Sequence, residues 1–385
     1  MLAALDLFAG AGGFSLGLRK AGINVVGAIE LDRFAAETYR TNFPGATVYE
    51  VALETRSSRW LKTKFSGVDI IAGGPPCQGF SVAGPSQYRI LDARNSLVLE
   101  MARVIKVIRP KFAVLENVKG ILSGKISSAR LALDAYIEML HEAGYHSKIV
   151  RLQAANFGVP QLRERVFVLS TIGAAHLLDA NAASLTKTRG THITSGECFS
   201  DLPPVSLIAE NNALAPYSRP PQNAFQKNIR LSSPGVMNHI PMKHTARILA
   251  RLRTLGHGES MRDVSKEFGQ RRRNSSELDA GQRFKMNCTR IDPDKPSLSV
   301  PANFQTIHVH PFEDRMLTAR EGARLQGFPD AFKFCGPRTL MSRKLLEREG
   351  RQDEIGLSQY NQIGNAVPPP LGRAIGQAFL RCETR

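Results

Sequence analysis

A thiol on a stiff turn is the most reactive group this chain offers: Pro75-Pro76-Cys77-Gln78 directly follows the apolar run Val68-Asp69-Ile70-Ile71-Ala72. Cysteine is the most nucleophilic of the common side chains, and a positioned thiolate can form transient covalent bonds to substrate. At its ordinary pKa of about 8.5 only a few per cent is thiolate, so a working nucleophile needs basic neighbours or a proton acceptor. A lone cysteine is more often a buried, inert thiol. The company of Cys77 argues for chemistry. Glu116-Asn117-Val118 ends the run that begins at Phe112, and Phe8-Ala9-Gly10-Ala11-Gly12-Gly13 ends the run that begins at Leu5. Glu116 can serve as an acid or hydrogen-bond donor toward a substrate ring once its surroundings raise its pKa. Gln161, Arg163 and Arg165 alternate, so in an extended segment they share one face. Two guanidinium groups there suit a phosphate or a carbonyl oxygen.

The glycine turn admits a ligand close to the backbone, and the helix after it offers N–H groups to an anion. Its last position is Ser15, where a dinucleotide fingerprint takes Gly or Ala, so a nicotinamide enzyme is disfavoured. Glu30 ends the next apolar run about 20 residues on, where an acid accepts hydrogen bonds from ribose hydroxyls. These features imply an adenosine-containing cofactor.

Short apolar runs alternating with helical stretches must position these groups. Leu5–Phe8, Val25–Ile29, Asp69–Ala72, Phe112–Leu115 and Val166–Leu169 read as strands, and 14–21, 32–42, 94–108 and 127–143 show helical periodicity. That alternation predicts an α/β domain with a parallel sheet flanked by helices, its chemical groups at the carboxyl ends of the strands. After Ser170 the periodicity fades into Pro203-Pro204, Pro220-Pro221 and clusters of Asn, Ser and Gly. It returns at 318–325, and a final helix is expected over 370–380. The spacing predicts a catalytic, cofactor-binding domain at 1–170, an irregular domain at 171–311 and a segment at 312–385 that completes the first domain.

The 385 residues carry 51 Lys and Arg against 34 Asp and Glu, a formal net charge of +17. That excess favours a polyanionic partner, although net charge also serves solubility alone. The basicity is spread along the chain and locates no surface. Five cysteines (Cys77, Cys198, Cys288, Cys335 and Cys382) form no CxxC pair, so neither a disulfide framework nor a zinc site is indicated. Neither a secretory leader nor an apolar run of membrane-spanning length is evident, and a reducing cytoplasm is the expected compartment.

Six motifs in order resemble those of DNA cytosine-5 methyltransferases of the bacterial restriction-modification type: Asp6-Leu7-Phe8-Ala9-Gly10-Ala11-Gly12-Gly13, Gly74-Pro75-Pro76-Cys77-Gln78-Gly79-Phe80-Ser81, Glu116-Asn117-Val118, Gln161-x-Arg163-x-Arg165, Arg320-Glu321-x-Ala323-Arg324-Leu325-Gln326-Gly327-Phe328-Pro329 and Gly364-Asn365-Ala366-Val367-Pro368. The resemblance covers residues 3–170 and about 312–380, and it makes the irregular middle the target-recognition domain. It implies a Rossmann-like S-adenosylmethionine-dependent methyltransferase fold with a mostly parallel sheet. It also implies methyl transfer to C5 of a flipped-out cytosine in a specific double-stranded sequence. Cys77 would bond to C6, Glu116 would contact N3 and the exocyclic amine, and Arg165 would sit at the carbonyl with Arg163 near Cys77. Phe8, Gly10, Gly12, Gly13, Phe14, Glu30, Leu31, Pro76, Asn365 and Val367 would hold the cofactor. Ser81, Gln161, Thr254 and Leu255 would contact DNA, and the segment from Gly79 to Arg94 would close over it.

The resemblance further implies a bacterial, nucleoid-associated monomer working beside a separate restriction endonuclease. One departure stands out: Ala52 takes the place of an acid that meets the adenine amino group in relatives, and Glu50 or Glu54 are the nearby substitutes. Two rival readings are a transfer-RNA cytosine-5 methyltransferase, whose recognition segment is shorter, and a catalytically silent DNA-binding module, which would not need Cys77.

Overall fold

The computed structural model describes residues 1–76, 96–126, 130–187, 192–205, 214–231, 233–269, 286–339 and 343–383. They form two compact units. The first comprises residues 1–157, 163–190 and 366–385, and the second 158–162 and 191–365. The division departs from the sequence expectation in two places. Residues 171–190 stay with the first unit, because the helix Ala175–Leu185 packs on its sheet and on its last helix. Most of 312–385 belongs to the second unit, and only the segment from Ala366 onward returns to the first.

The first unit is built on a seven-stranded sheet in the order β3-β2-β1-β4-β5-β8-β6. Its strands are β1 (Ala3–Leu7), β2 (Asn24–Ile29), β3 (Thr47–Tyr49), β4 (Ile70–Gly73), β5 (Phe112–Asn117), β6 (His146–Gln153) and β8 (Glu164–Thr171). β1 to β5 run parallel, as the alternating pattern requires. β8 is antiparallel to both β5 and β6, so the run around Val166 is not a further parallel strand. β4 and β5 are buried throughout, and so read as unbroken apolar runs. β6 is an edge strand with the sequence HSKIVRLQ, in which only Val150 and Leu152 are buried, and its polar and charged residues break any apolar run.

Helices cover both faces. Alternate strand residues point to opposite sides. Leu5, Leu7, Ala113, Leu115, Val166 and Val168 join the core formed with α3 (Ser58–Phe65), α4 (Ser96–Ile108) and α5 (Ala132–Glu142). Phe112 and Phe167 turn to the other face. There Phe112 stacks on Phe379 of α13 (Pro369–Glu383) at 4.8 Å, and Phe167 meets Phe14 of α1 (Gly13–Lys20) edge-on. α2 (Arg33–Asn42) starts at an Asp32 cap that accepts the Phe34 and Ala35 N–H groups. α6 (Ala175–Leu185) completes the layer with α1 and α13.

In the second unit β7 (Gln161–Leu162) pairs with β12 (Ser297–Leu298), β9 (Ala215–Pro216) with β10 (Gly235–Val236), and β11 (Thr289–Arg290) with β13 (His308–Val309). The described helices are α7 (Ser195–Phe199), α8 (Ala224–Arg230), α9 (Ala246–Arg253), α10 (Ala319–Leu325), α11 (Arg343–Arg348) and α12 (Gln359–Asn365). With so little regular ladder, buried ion pairs organise the interior. Arg324 on α10 bonds both Asp330 and Asp201, and Asp201 also takes Arg230. Arg315 forks onto Glu321, whose carboxyl is held far below the usual carboxylate range by that guanidinium despite complete burial. α10 opens with a capping box between Thr318 and Glu321. Among the described residues no helix is long and apolar enough to cross a membrane.

Candidate active site

At the carboxyl end of β1 the chain makes a sharp left-handed passage through Phe8, Gly10 and Gly12, with φ values of 55°, 54° and 90°. Gly12 cannot be replaced there, since a Cβ would lie 2.5 Å from the Phe43 ring and 2.9 Å from Tyr39. The opposite holds at Gly10, where a Cβ would meet nothing within 4 Å, so the backbone is open to a ligand. Beneath the turn, Ser15 Oγ donates to the buried Asp6 carboxylate at 2.6 Å and accepts from Tyr39 OH at 2.7 Å. Burial pushes the Asp6 carboxyl up to about 7, against the lowering effect of the Ser15 bonds. Sequence reasoning counted Ser15 only as a departure from a dinucleotide fingerprint. Its role as a bridge appears once the fold brings Tyr39 to it.

Glu30, at the end of β2, is tied to the same turn. Its Oε2 accepts Gly10 N–H and its Oε1 accepts Asp32 N–H, both at 2.7 Å. Burial raises its pKa, opposed by these backbone donors. A carboxylate accepts about four hydrogen bonds, so with the Gly10, Asp32 and Leu31 backbone donors one position stays available, as a ribose hydroxyl would require. Leu31 beside it is 67% exposed, a large apolar surface suited to the face of an adenine ring. The open backbone at Gly10, the carboxylate beside it and the exposed Leu31 thus fit an adenosine cofactor. The Phe14 ring is buried against Phe167, so any part it plays at the turn falls to its backbone.

Glu116 and Asn117 end β5 next to the turn that leads to Cys77. Asn117 Nδ2 donates to the Pro75 carbonyl at 3.1 Å, and Gly74 lies so close that a Cβ would sit 3.0 Å from Glu116 Oε2. Pro76 is exposed. The antiparallel sense of β8 brings its first residues to this same sheet end, where Arg165 Nε lies 3.1 Å from Glu116 Oε1. Burial drives the Glu116 pKa upward, and Arg165 and then Arg163 offset part of that rise. Arg163 is buried and donates to the Ala366 carbonyl at 3.2 Å. Cys77, Ser81 and the segment from Gly79 to Arg94 lie outside the described residues.

Two expected DNA contacts are corrected. Gln161 is fully buried in the second unit. Its amide donates to Leu325 O and Gln326 Oε1 and accepts Val300 N–H, which leaves nothing for DNA. Leu255 is buried with Leu252, Cys288, Val309 and Met316. Its neighbour Thr254 is exposed. Asn365 is exposed at the end of α12 in the second unit, and Val367 is buried in the first. Glu50 is engaged by Arg40, whereas Ala52 is half-buried and Glu54 exposed.

A mostly parallel sheet with an acid after β2 and a glycine turn after β1 defines a nucleotide-cofactor enzyme of the Rossmann-like methyltransferase class. The model of the C-5 cytosine-specific DNA methylase family matches residues 2–381, and the chain belongs to that family. It is a DNA (cytosine-5)-methyltransferase, and its cofactor is S-adenosylmethionine. The chain is 41% identical to the type II methyltransferase M.DdeI of Desulfomicrobium norvegicum, over 97% of its own length and 87% of that protein's. It is 32% identical to the type II methyltransferase M.PspPI of Psychrobacter sp., over 98% and 78%. Among solved structures, one described as a DNA modification methyltransferase encoded within an E. coli prophage superposes with a TM-score of 0.76. It is 23% identical, covers both chains completely, and speaks to fold alone.

Proposed function

We propose that this enzyme is the modification methyltransferase of a type II restriction-modification system, acting on an extruded cytosine in a specific duplex sequence through a covalent bond between Cys77 and C6. Its likeness to type II methyltransferases along nearly the whole chain supports the affiliation. The observation that carries the catalytic reading is the buried Glu116, fixed by Arg165 beside the turn that precedes Cys77. C5 of cytosine is a weak nucleophile, and C6 is reachable only after the base leaves the stack, at a cost of about a few kcal/mol. Cys77 thiolate adds to C6, and the electron pair of the C5–C6 double bond moves toward C5. Glu116, its pKa raised, holds a proton toward N3, which favours that addition. Arg165 orients the Glu116 carboxyl and offers its guanidinium to the cytosine carbonyl. Once C5 has used that electron pair to take the methyl group, a base removes the C5 proton, and the returning electron pair expels Cys77.

S-adenosylmethionine, when bound, supplies an electrophilic methyl group for C5. Glu30 would take its ribose, Phe8 and Leu31 its adenine, and the backbone from Gly10 to Phe14 its methionine part. Pro76, Asn365 and Val367 would complete the pocket. Ser81 and Thr254 remain proposed DNA contacts, and the second unit is the proposed target-recognition part. The enzyme would work as a cytoplasmic monomer independent of its endonuclease.

The test is a duplex whose target cytosine carries fluorine at C5, which cannot leave as a proton does. Native enzyme with cofactor should form a denaturation-stable adduct, and Cys77→Ala should form none while still binding DNA. Full methylation by Cys77→Ala would overturn the mechanism. A preference for RNA oligonucleotides over DNA would overturn the substrate.

A further inference from the structure

In the second unit the guanidinium of Arg290, like those of Arg315 and Arg324, has all five of its N–H donors committed. Arg290, on β11 and 6% exposed, donates from Nε to Leu255 O at 2.8 Å and from Nη2 to Leu252 O at 2.6 Å. These carbonyls lie at and just beyond the C-terminus of α9, where acceptors are left over and a positive charge is favoured. Its remaining bonds go elsewhere: Nη1 to His310 O at 3.0 Å and Glu313 O at 3.2 Å, and Nη2 to Asp314 Oδ1 at 2.7 Å. The Arg290 backbone adds two more ties, donating to Glu259 O and accepting from Gly258 N–H. A single side chain therefore fixes the loop after α9 against the loop that follows β13.

These two loops present polar groups to solvent. The Arg253 side chain is 68% exposed and that of Asp314 43%, 3.8 Å apart, with exposed Thr254 beside Arg253. An arginine suits the O6 and N7 acceptors of guanine, and a carboxylate suits the cytosine amine. Reading a base edge requires such groups to keep their mutual register. Arg290 is too buried to touch DNA but holds one loop through Leu252 and Leu255 and the other through Asp314.

We infer that Arg290 is a positioning residue for target discrimination, setting the register of Arg253, Thr254 and Asp314 against the base pairs of the recognition site. The inference rests on the reading of the second unit as the target-recognition part. A lysine here would bring one nitrogen with three donors in place of a planar fork with five, so it could not span both loops.

The test uses the full-length enzyme, its site first defined by sequencing methylated DNA, and the variants Arg290→Lys and Asp314→Asn. The readout is kcat/KM on the true site divided by kcat/KM on sites altered by one base pair. A merely structural loss lowers the active fraction, scales both rates alike and leaves that ratio unchanged. For a register role the ratio should fall about tenfold in Arg290→Lys, within the range one mismatched pair is worth, and at least about threefold in Asp314→Asn. Ratios within about threefold of wild type in every variant that folds would overturn the inference. Asp314 is half exposed, so if the lysine form does not fold, an unchanged ratio in Asp314→Asn still overturns the inference. Wild-type enzyme that methylates without sequence preference would instead sink the reading of the second unit, and the inference with it.

Discussion

Replacing Glu30 by glutamine changes a single atom type and should cost cofactor affinity heavily. The carboxylate uses one oxygen for Gly10 N–H and the other for Asp32 N–H, both at 2.7 Å. A carboxamide has one acceptor oxygen, so in either orientation its NH2 group faces a backbone N–H. One bond to a charged acceptor is lost, worth about 1.5–3 kcal/mol, and the glycine turn loses the tie that shapes it. Part of that cost falls on stability, so the loss of cofactor affinity is bounded above by the full conversion, about 10- to 150-fold. Calorimetric titration with S-adenosylmethionine measures it. Wild-type affinity should also decline as pH falls through a Glu30 pKa that burial holds above the ordinary carboxylate value, because the acid form loses an acceptor. The glutamine variant should lack that decline. A dissociation constant within about threefold of wild type would refute both the ribose assignment and the role of Glu30 in shaping the turn.

Asp6→Asn tests the support beneath that turn. Folding raises the Asp6 pKa from 3.8 to about 7, so the folded state takes up a proton there. That contribution is complete below the unfolded pKa and disappears as pH rises through about 7, a change of at most about 4 kcal/mol. Urea unfolding of the wild type should therefore lose more stability between about pH 5 and pH 8 than unfolding of Asp6→Asn, and equal losses would count against a buried titrating Asp6. Ala52→Asp introduces the acid that the family resemblance implies at this position, and should tighten cofactor binding by roughly 1 kcal/mol through one added hydrogen bond. Because Glu50 is already held by Arg40, unchanged calorimetric affinity would assign the adenine contact to Glu54 or to the backbone.

The sequence by itself determined four of the five parallel strands (the short β3 was missed), the glycine turn, Glu30, and Glu116 at a strand end. Each of these is a local signal: a run of apolar residues long enough to be buried on both faces, broken by the residue type a strand end or a left-handed turn requires. It also placed α10, through its periodicity, although not the unit to which it belongs. Edge strand β6 was hidden because half of it faces water and its composition follows that exposure.

Tertiary structure decided which groups meet. Arg165 reaches Glu116 because β8 runs antiparallel to β5, and strand direction depends on a long-range choice of partner that side-chain periodicity does not encode. Gln161 and Leu255 were expected at DNA and are buried instead. A carboxamide serves a protein carbonyl as readily as a base edge, and only the packing around it selects between them. The same holds for Arg290: its sequence context is one basic residue among many, and its five acceptors come from segments up to 38 residues away that the fold alone assembles.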